Sequence, residues 1–335
     1  MNSNKKETYS YAGYLTFKLF RTSSIESNIG FNQVLTNLPR YEEGSPESPG
    51  YGFTSVDLPH YLKVDPQAEL YDYSNEDSLF TKTANKVESL RYINEEYEPR
   101  EVYDYSGQPM EAYTRTISEV DLFWMPPNFL FVRGNKTDIR RTNRTLSKVI
   151  EDRVAIREVN LNSEFLLWLF YKYVDNQRLP KTQISISRIT SASLSGDIDE
   201  FGGQSSVSDS VDISRSLPII AGLLRGQEID ELGGHFRMAD YRIEFTIDSD
   251  ASIHIKTGGS LSELDNLRRM LIALNVQYEF LDLYQYWEQL PNTEKYIPKK
   301  FYDDLVQFSE KLGFKSSISV DDRLKELDQL RNSDS

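Results

Sequence analysis

Lys136, Arg140, Arg144 and Lys148 recur at every fourth residue. At about 100° per residue, such a series drifts by only about 40° per step around a helix, so the four share an arc of about 120°. Arg141 falls at the margin of the same arc, and Arg133 stands just upstream. Cations repeating every ~6 Å along one face suit a run of phosphates, which are held by charge and need no catalytic group. Thr137, Thr142, Asn143 and Thr145 are interspersed as hydrogen-bond donors. Ile139, Leu146, Val149 and Ile150 fall on the opposite side, where they can pack on a sheet. The same pattern also fits a solvated face, or a face paired with the acidic stretch 41–120 or with a partner.

Other chemistries find weaker support. The histidines His60, His235 and His254 are far apart and none has a partner at ligand spacing, which gives no expectation of a metal site. Asp197, Asp199, Glu200, Asp209 and Asp212 form an acidic stretch that can be drawn as a Mg²⁺ site for phosphodiester cleavage. Asp248 or Asp250 ahead of Ile253-His254-Ile255-Lys256 extends that nuclease alternative. His254, however, stands where a metal-binding Glu is needed before Lys256, so solvated loop carboxylates are the preferred account. No nucleophile elbow, P-loop or dinucleotide fingerprint occurs. Gly202-Gly203 and Gly233-Gly234 read as turns or bulges. Phe165, Trp168, Leu169 and Tyr171–Tyr173 can stack on bases, but their apolar neighbours favour a core helix. No catalytic residue and no cofactor is expected.

Composition sets the frame. The chain has 335 residues and a net charge of −14, which by itself opposes binding to nucleic acid or anionic lipid. The charge is uneven: residues 41–120 carry −11, whereas residues 133–148 set six basic side chains against Asp138, a net +5. With no cysteine, disulfides, thiolate catalysis and cysteine zinc sites are excluded. No apolar run reaches the ~20 residues of a membrane span, and MNSNKKETYSYAG has no apolar signal core. A cytoplasmic protein without membrane partners is expected.

The elements that must position the cations follow from periodicity. Leu15, Phe17 and Leu19 alternate with polar residues as a strand. Residues 41–60 read as a loop, and 61–118 as a polar, tyrosine-rich region with a helix near 81–92. Val120–Met125 and Phe129–Val132 read as strands joined by a Pro126-Pro127-Asn128 turn, followed by the basic helix over 137–151. Asn162 or Ser163 caps a helix over 164–173, Ile184–Ile189 form a strand, and 190–212 form a loop with a short strand at Val207. A helix opened by Ser214 or Ser216 is closed by Gly226. Strands at 228–238, 242–247 and 252–256 follow, with Asp248-Ser249-Asp250 as a tight turn. Ser260 and Glu263 have capping-box spacing ahead of a helix through Tyr286. A helix over 299–312 and a charged tail from 316 with a marginal last helix complete the chain.

From residue 119 to about 280 the order of elements resembles the recombination-associated protein RdgC family. The resemblance is carried by DLFWMPPNFLFVRG, NKTDIRRTNRTLSKVI, NSEFLLWLF, VDISRSLPIIAGLLRGQEI and DYRIEFTIDSDASIHIKT. The N-terminal third, more acidic and loop-rich, departs from the family's pattern. The resemblance implies sequence-independent duplex DNA binding without catalysis, through a basic lining inside a ring-shaped dimer, in genome maintenance or a phage-related role.

The expected fold is α+β, with mostly antiparallel sheets, packed helices and an RdgC-like second half. Residues 1–118 form an acidic N-terminal region, 119–315 an α+β domain with the basic helix, and 316–335 a charged tail. The expected function is non-catalytic nucleic-acid binding, duplex DNA favoured, through Arg133, Lys136, Arg140, Arg141, Arg144 and Lys148. The alternatives are a protein-interaction subunit of an antiviral, defence-type complex or a homo-oligomer, and a metal-dependent nuclease.

Overall fold

A computed structural model of the chain describes residues 8–11, 13–24, 36, 38–64, 78–125, 128–150, 154–198, 202–311 and 321–333. The chain divides into two compact units, residues 1–159 with 266–271, and residues 160–265 with 272–335. Both are α+β, and the paired strands in each run antiparallel.

Unit 1 contains β1 (Leu15–Ser24), β2 (Tyr51–Val56), α1 (Leu58–Val64), α2 (Leu79–Lys86), β3 (Glu88–Tyr103), β4 (Pro109–Met125), β5 (Phe129–Arg133), α3 (Lys136–Ile150) and β6 (Val154–Glu158). The strand order is β2-β3-β4-β5-β1, with β6 also paired to β1. Side chains alternate between the faces of a strand. Leu90, Tyr92, Val120, Leu122, Trp124, Leu130 and Val132 therefore gather in one buried cluster, which Ile139 and Leu146 of α3 complete. The intervening Arg91 and Asp121 belong to the other face, and Asp121 lies opposite Arg91 on β3 and Arg133 on β5. Its carboxylate, 2% exposed, accepts from Arg91 Nε at 2.7 Å and from Arg133 Nε at 2.8 Å and Nη2 at 2.6 Å. One buried charge thus ties three neighbouring strands. The same guanidinium groups donate onward to the carbonyls of Ser10 and Tyr14, and Arg133 sits 4.9 Å over the Tyr11 ring.

Three expectations for this region need correction. Residues 41–60 are not one loop, because Tyr51–Val56 pairs with β3 and a short helix follows. The helix expected near 81–92 ends at Lys86, and 88–118 belongs to the longest hairpin, β3–β4, with Tyr103 opposite Pro109 at its end. Beyond Tyr97 nearly every residue of β3 is exposed, so no burial imposes an apolar alternation there and the strand signal is lost. A domain boundary at 118/119 would cut β4 in mid-ladder, between Ser118 opposite Asn94 and Glu119 opposite Ile93. The Pro126-Pro127 turn lies outside the described residues.

Unit 2 contains α4 (Ser163–Val174), β7 (Ile184–Ser195), β8 (Gln204–Val207), α5 (Leu217–Leu224), β9 (Glu228–Met238), β10 (Tyr241–Asp248) and β11 (Ser252–Lys256). The helices α6 (Asn266–Glu288), α7 (Asn292–Lys295), α8 (Lys299–Lys311) and α9 (Asp321–Asn332) follow, the first six residues of α6 counting with unit 1. The strand order is β11-β10-β9-β7-β8. Asn162 caps α4, its Oδ1 accepting from Glu164 N at 2.9 Å, a bond worth about 1 kcal/mol. Pro218 falls in the first turn of α5, and Gly226, at φ 76°, follows its end in a conformation costly for other residues. A side chain at Gly234 would place its Cβ 2.2 Å from the Arg188 carbonyl, where β7 bulges against β9. The expected capping box fails: Gly259–Leu261 is a 3₁₀ turn, α6 starts at Asn266, and Ser260 Oγ instead bonds both backbone groups of Arg242. β7 also runs to Ser195, into the first six residues of the expected 190–212 loop, because β9 pairs with it along that length.

Removing Asp121 alone would leave two arginines beside an empty carboxylate site. Asp121→Ala is expected to cost about 3–5 kcal/mol in urea denaturation. Replacing Arg91, Asp121 and Arg133 together by Leu or Met should recover most of that loss, because no uncompensated charge remains.

Candidate nucleic-acid interface

The basic helix forms where expected, as α3, and its start is set by local chemistry. Asn135 Oδ1 accepts from Asp138 N at 2.9 Å, and Asn135 Nδ2 donates back to the Asp138 carboxylate. Asp138 in the first turn also complements the helix dipole. Ile139 and Leu146 are buried against the sheet; the side chains of Val149 and Ile150 lie outside the described residues. With that face anchored, Lys136, Arg140, Arg144 and Lys148 are all exposed. They span about 18 Å at the helical rise. Among the described residues none of the four makes an ion pair or hydrogen bond.

The remaining expected members of the site behave differently. Arg133 leaves it: the side chain is 3% exposed and engages Asp121, so it holds strands together and presents nothing to a phosphate. Arg141, at the margin of the arc, pairs with Glu96 of β3 at 2.6 Å. Thr142 is buried on the packing side, and Thr145 Oγ1 donates to the Arg141 carbonyl and accepts from Tyr92 Oη at 3.3 Å. Neither threonine belongs to the outward face; Thr137 does.

Next to the Glu96–Arg141 pair the chain carries a polar knot that sequence reading missed. Glu95, on the opposite face of β3 from Glu96, is 2% exposed and accepts five hydrogen bonds. They come from Tyr41 Oη at 2.5 Å, Gly44 N at 3.0 Å, Gly50 N at 3.1 Å, Tyr97 Oη at 3.1 Å and Arg115 Nη2. Arg115 also reaches Glu43 at 2.7 Å. The knot closes the 41–50 loop over the base of the β3–β4 hairpin. Its partners lie 2 to 54 residues away in the chain, so no local spacing could have signalled it. Past the knot the hairpin continues as a two-stranded ribbon with Val102, Tyr103, Tyr105, Met110 and Tyr113 all exposed.

The acidic stretch of unit 2 is accounted for mainly by local bonds. Asp212 accepts from Ser214 N and Oγ, Asp250 accepts from Ser252 N, and Lys256 is paired with Glu244. Burial holds the His254 ring below the ordinary histidine range. Asp197 and Asp209 are exposed, and Asp199 and Glu200 lie outside the described residues. Among the described residues no three His, Asp or Glu side chains gather as metal ligands, and no helix is long and apolar enough to cross a membrane.

The Tyr41 hydroxyl, then Arg115 and the Gly44 and Gly50 amides, hold the Glu95 carboxyl at about 2, far below the ordinary value of 4.5. A depressed carboxylate stabilises the fold above its unfolded value and loses that contribution as pH falls through the folded value. Glu95→Gln should therefore lower the urea midpoint at neutral pH. The gap to the parent chain should narrow between about pH 4.5 and pH 2.

No family model matches the chain, and no curated protein matches it.

Proposed function

We propose that the protein is a non-catalytic binder of nucleic acid, duplex DNA favoured, that seats phosphates on the outward face of α3. The observation that carries this reading is the state of four cations. Lys136, Arg140, Arg144 and Lys148 are exposed and unpaired among the described residues, in a chain of net charge −14 with acidic side chains in excess. Arg141 next to them is already neutralised by Glu96, so pairing was available to this helix and four positions went without it. A rigid helix with cations every ~6 Å contacts the backbone without reading bases, which is sequence-independent binding. An RdgC-like second half, a cytoplasmic location and a role in genome maintenance or phage defence agree with this reading.

A second reading is favoured by the exposed end of the β3–β4 hairpin. Tyrosines and a methionine on a protruding, acidic ribbon suit a protein partner, which makes the chain an interaction subunit of a larger, defence-type assembly or of a homo-oligomer.

The two are separated by a salt titration of binding to a short duplex. Four phosphate contacts give a slope of log Kobs against log[salt] of about −3.6. Reversing Arg140, Arg144 and Lys148 to Glu together should abolish retention at low salt. Absence of binding by the parent chain, or retention by the triple variant, sinks the first reading. Replacing residues 100–112 by an Asn-Gly turn should leave DNA binding intact. Loss of assembly in that variant, read by light scattering, supports the second.

A further inference from the structure

Unit 2 contains a cleft of about 320 Å³, within the range of small-molecule sites. It is lined from α4, the turn after it, the end of α6, α7 and α9. Two features set its chemistry. The first is aromatic: Trp168, Tyr171 and Tyr286 are among its lining residues, and Lys181 Nζ lies 4.9 Å from the Tyr286 ring centroid. The buried Trp168 indole N–H has no acceptor among the described residues. The second is charge. Lys172, Arg178 and Arg331 stand against the single lining carboxylate of Glu294, in a chain whose acidic residues otherwise prevail. Arg331 Nη1 donates to the Tyr296 carbonyl, a neutral acceptor that leaves its charge uncompensated. Lys172 is held by Gln177 and stacked 5.2 Å from the Trp168 ring centroid; burial keeps its ammonium below the ordinary lysine range, against the pull of Asp175 and Glu294. Arg178 is exposed and makes no ion pair or hydrogen bond among the described residues.

The backbone supports the same site. Asn176 and Lys181 both adopt φ 51°, a conformation that costs energy in a residue with a Cβ, and in Lys more than in Asn. They bracket Gln177–Pro180, the segment that brings Arg178 to the cleft. Backbone strain of this kind persists where the surroundings over-determine it, and it concentrates at ligand clamps.

The geometry points to this cleft as a binding site for a nucleotide, a planar ring carrying phosphate, taken either free or as the end of a strand. The ring would stack on tyrosine, and Arg178 with Arg331 would hold the phosphate through charge-assisted hydrogen bonds. This site is independent of the α3 face and stands or falls without it.

Calorimetric titration of the full chain tests the assignment, with AMP, adenosine, inorganic phosphate and a 5′-phosphorylated trinucleotide as probes. Saturable binding of AMP or of the trinucleotide is expected, with adenosine and phosphate each at least about tenfold weaker. AMP without the trinucleotide assigns a free nucleotide, and the trinucleotide without AMP assigns a strand end. Arg178→Glu and Tyr286→Ala should each weaken binding by about tenfold or more with the melting temperature unchanged, since neither side chain is buried. Reversal of the α3 charges should leave this binding intact. The assignment is overturned if neither AMP nor the trinucleotide saturates at millimolar concentration. It is equally overturned if both variants bind as the parent does.

Discussion

The first unit depends on one buried carboxylate. Asp121 lies between Arg91 and Arg133 across adjacent strands, and a one-residue slip of any of the three would turn its charged member toward the apolar face. A buried charge left without its partner is far more costly than a buried pair, so the triad fixes register more firmly than the surrounding apolar contacts, which tolerate repacking. The register it sets places Leu90, Tyr92, Val120 and Leu122 together beneath α3. The cations on the outer side of that helix are therefore oriented, at one remove, by Asp121.

The distribution of charge follows from where burial is complete. Arg133 and Asp121 can be ion partners at 3% and 2% exposure because each satisfies the other. Glu95 can be buried because five donors converge on it, two of them backbone amides of the loop it closes. What remains at the surface is unbalanced. The hairpin beyond the Glu95 knot is acidic and rich in tyrosine, whereas α3 keeps four cations unpaired among the described residues, and Arg141 is the member of that helix paired with Glu96 of β3. An overall charge of −14 is thus compatible with a basic binding face, since a ligand meets the local field within about a Debye length and not the total.

Much of the fold was legible. The basic helix, the Asn162 cap, the Gly226 stop and the run β9-β10-β11 were readable because each is set by contacts within a few residues or by a one-sided burial pattern. The long β3–β4 hairpin was not, because a ribbon exposed on both sides carries no periodic apolar signal. The capping box at Ser260 was misread because its hydroxyl was claimed by a distant backbone, Arg242, a competitor that local spacing cannot weigh. Of the six proposed phosphate contacts, spacing identified the four that face outward. It misjudged Arg133, whose place at a strand end next to Asp121 is a property of pairing, and it could not foresee Glu96 as the partner of Arg141.

The sequence alone determined which residues share a helical face, where helices can start and stop, and that no thiol chemistry is available, since these depend on covalent order and side-chain type. Only the tertiary structure decided which charges are spent. Whether a cation is paired, buried or free depends on residues tens of positions away, brought close by register and by the packing of α3, and no rule of spacing carries that information. The same holds for the cleft in unit 2. An aromatic helix that reads as core places Trp168 and Tyr171 beside Tyr286 and Arg331, more than a hundred residues further along, and turns part of a packing surface into a lined cavity.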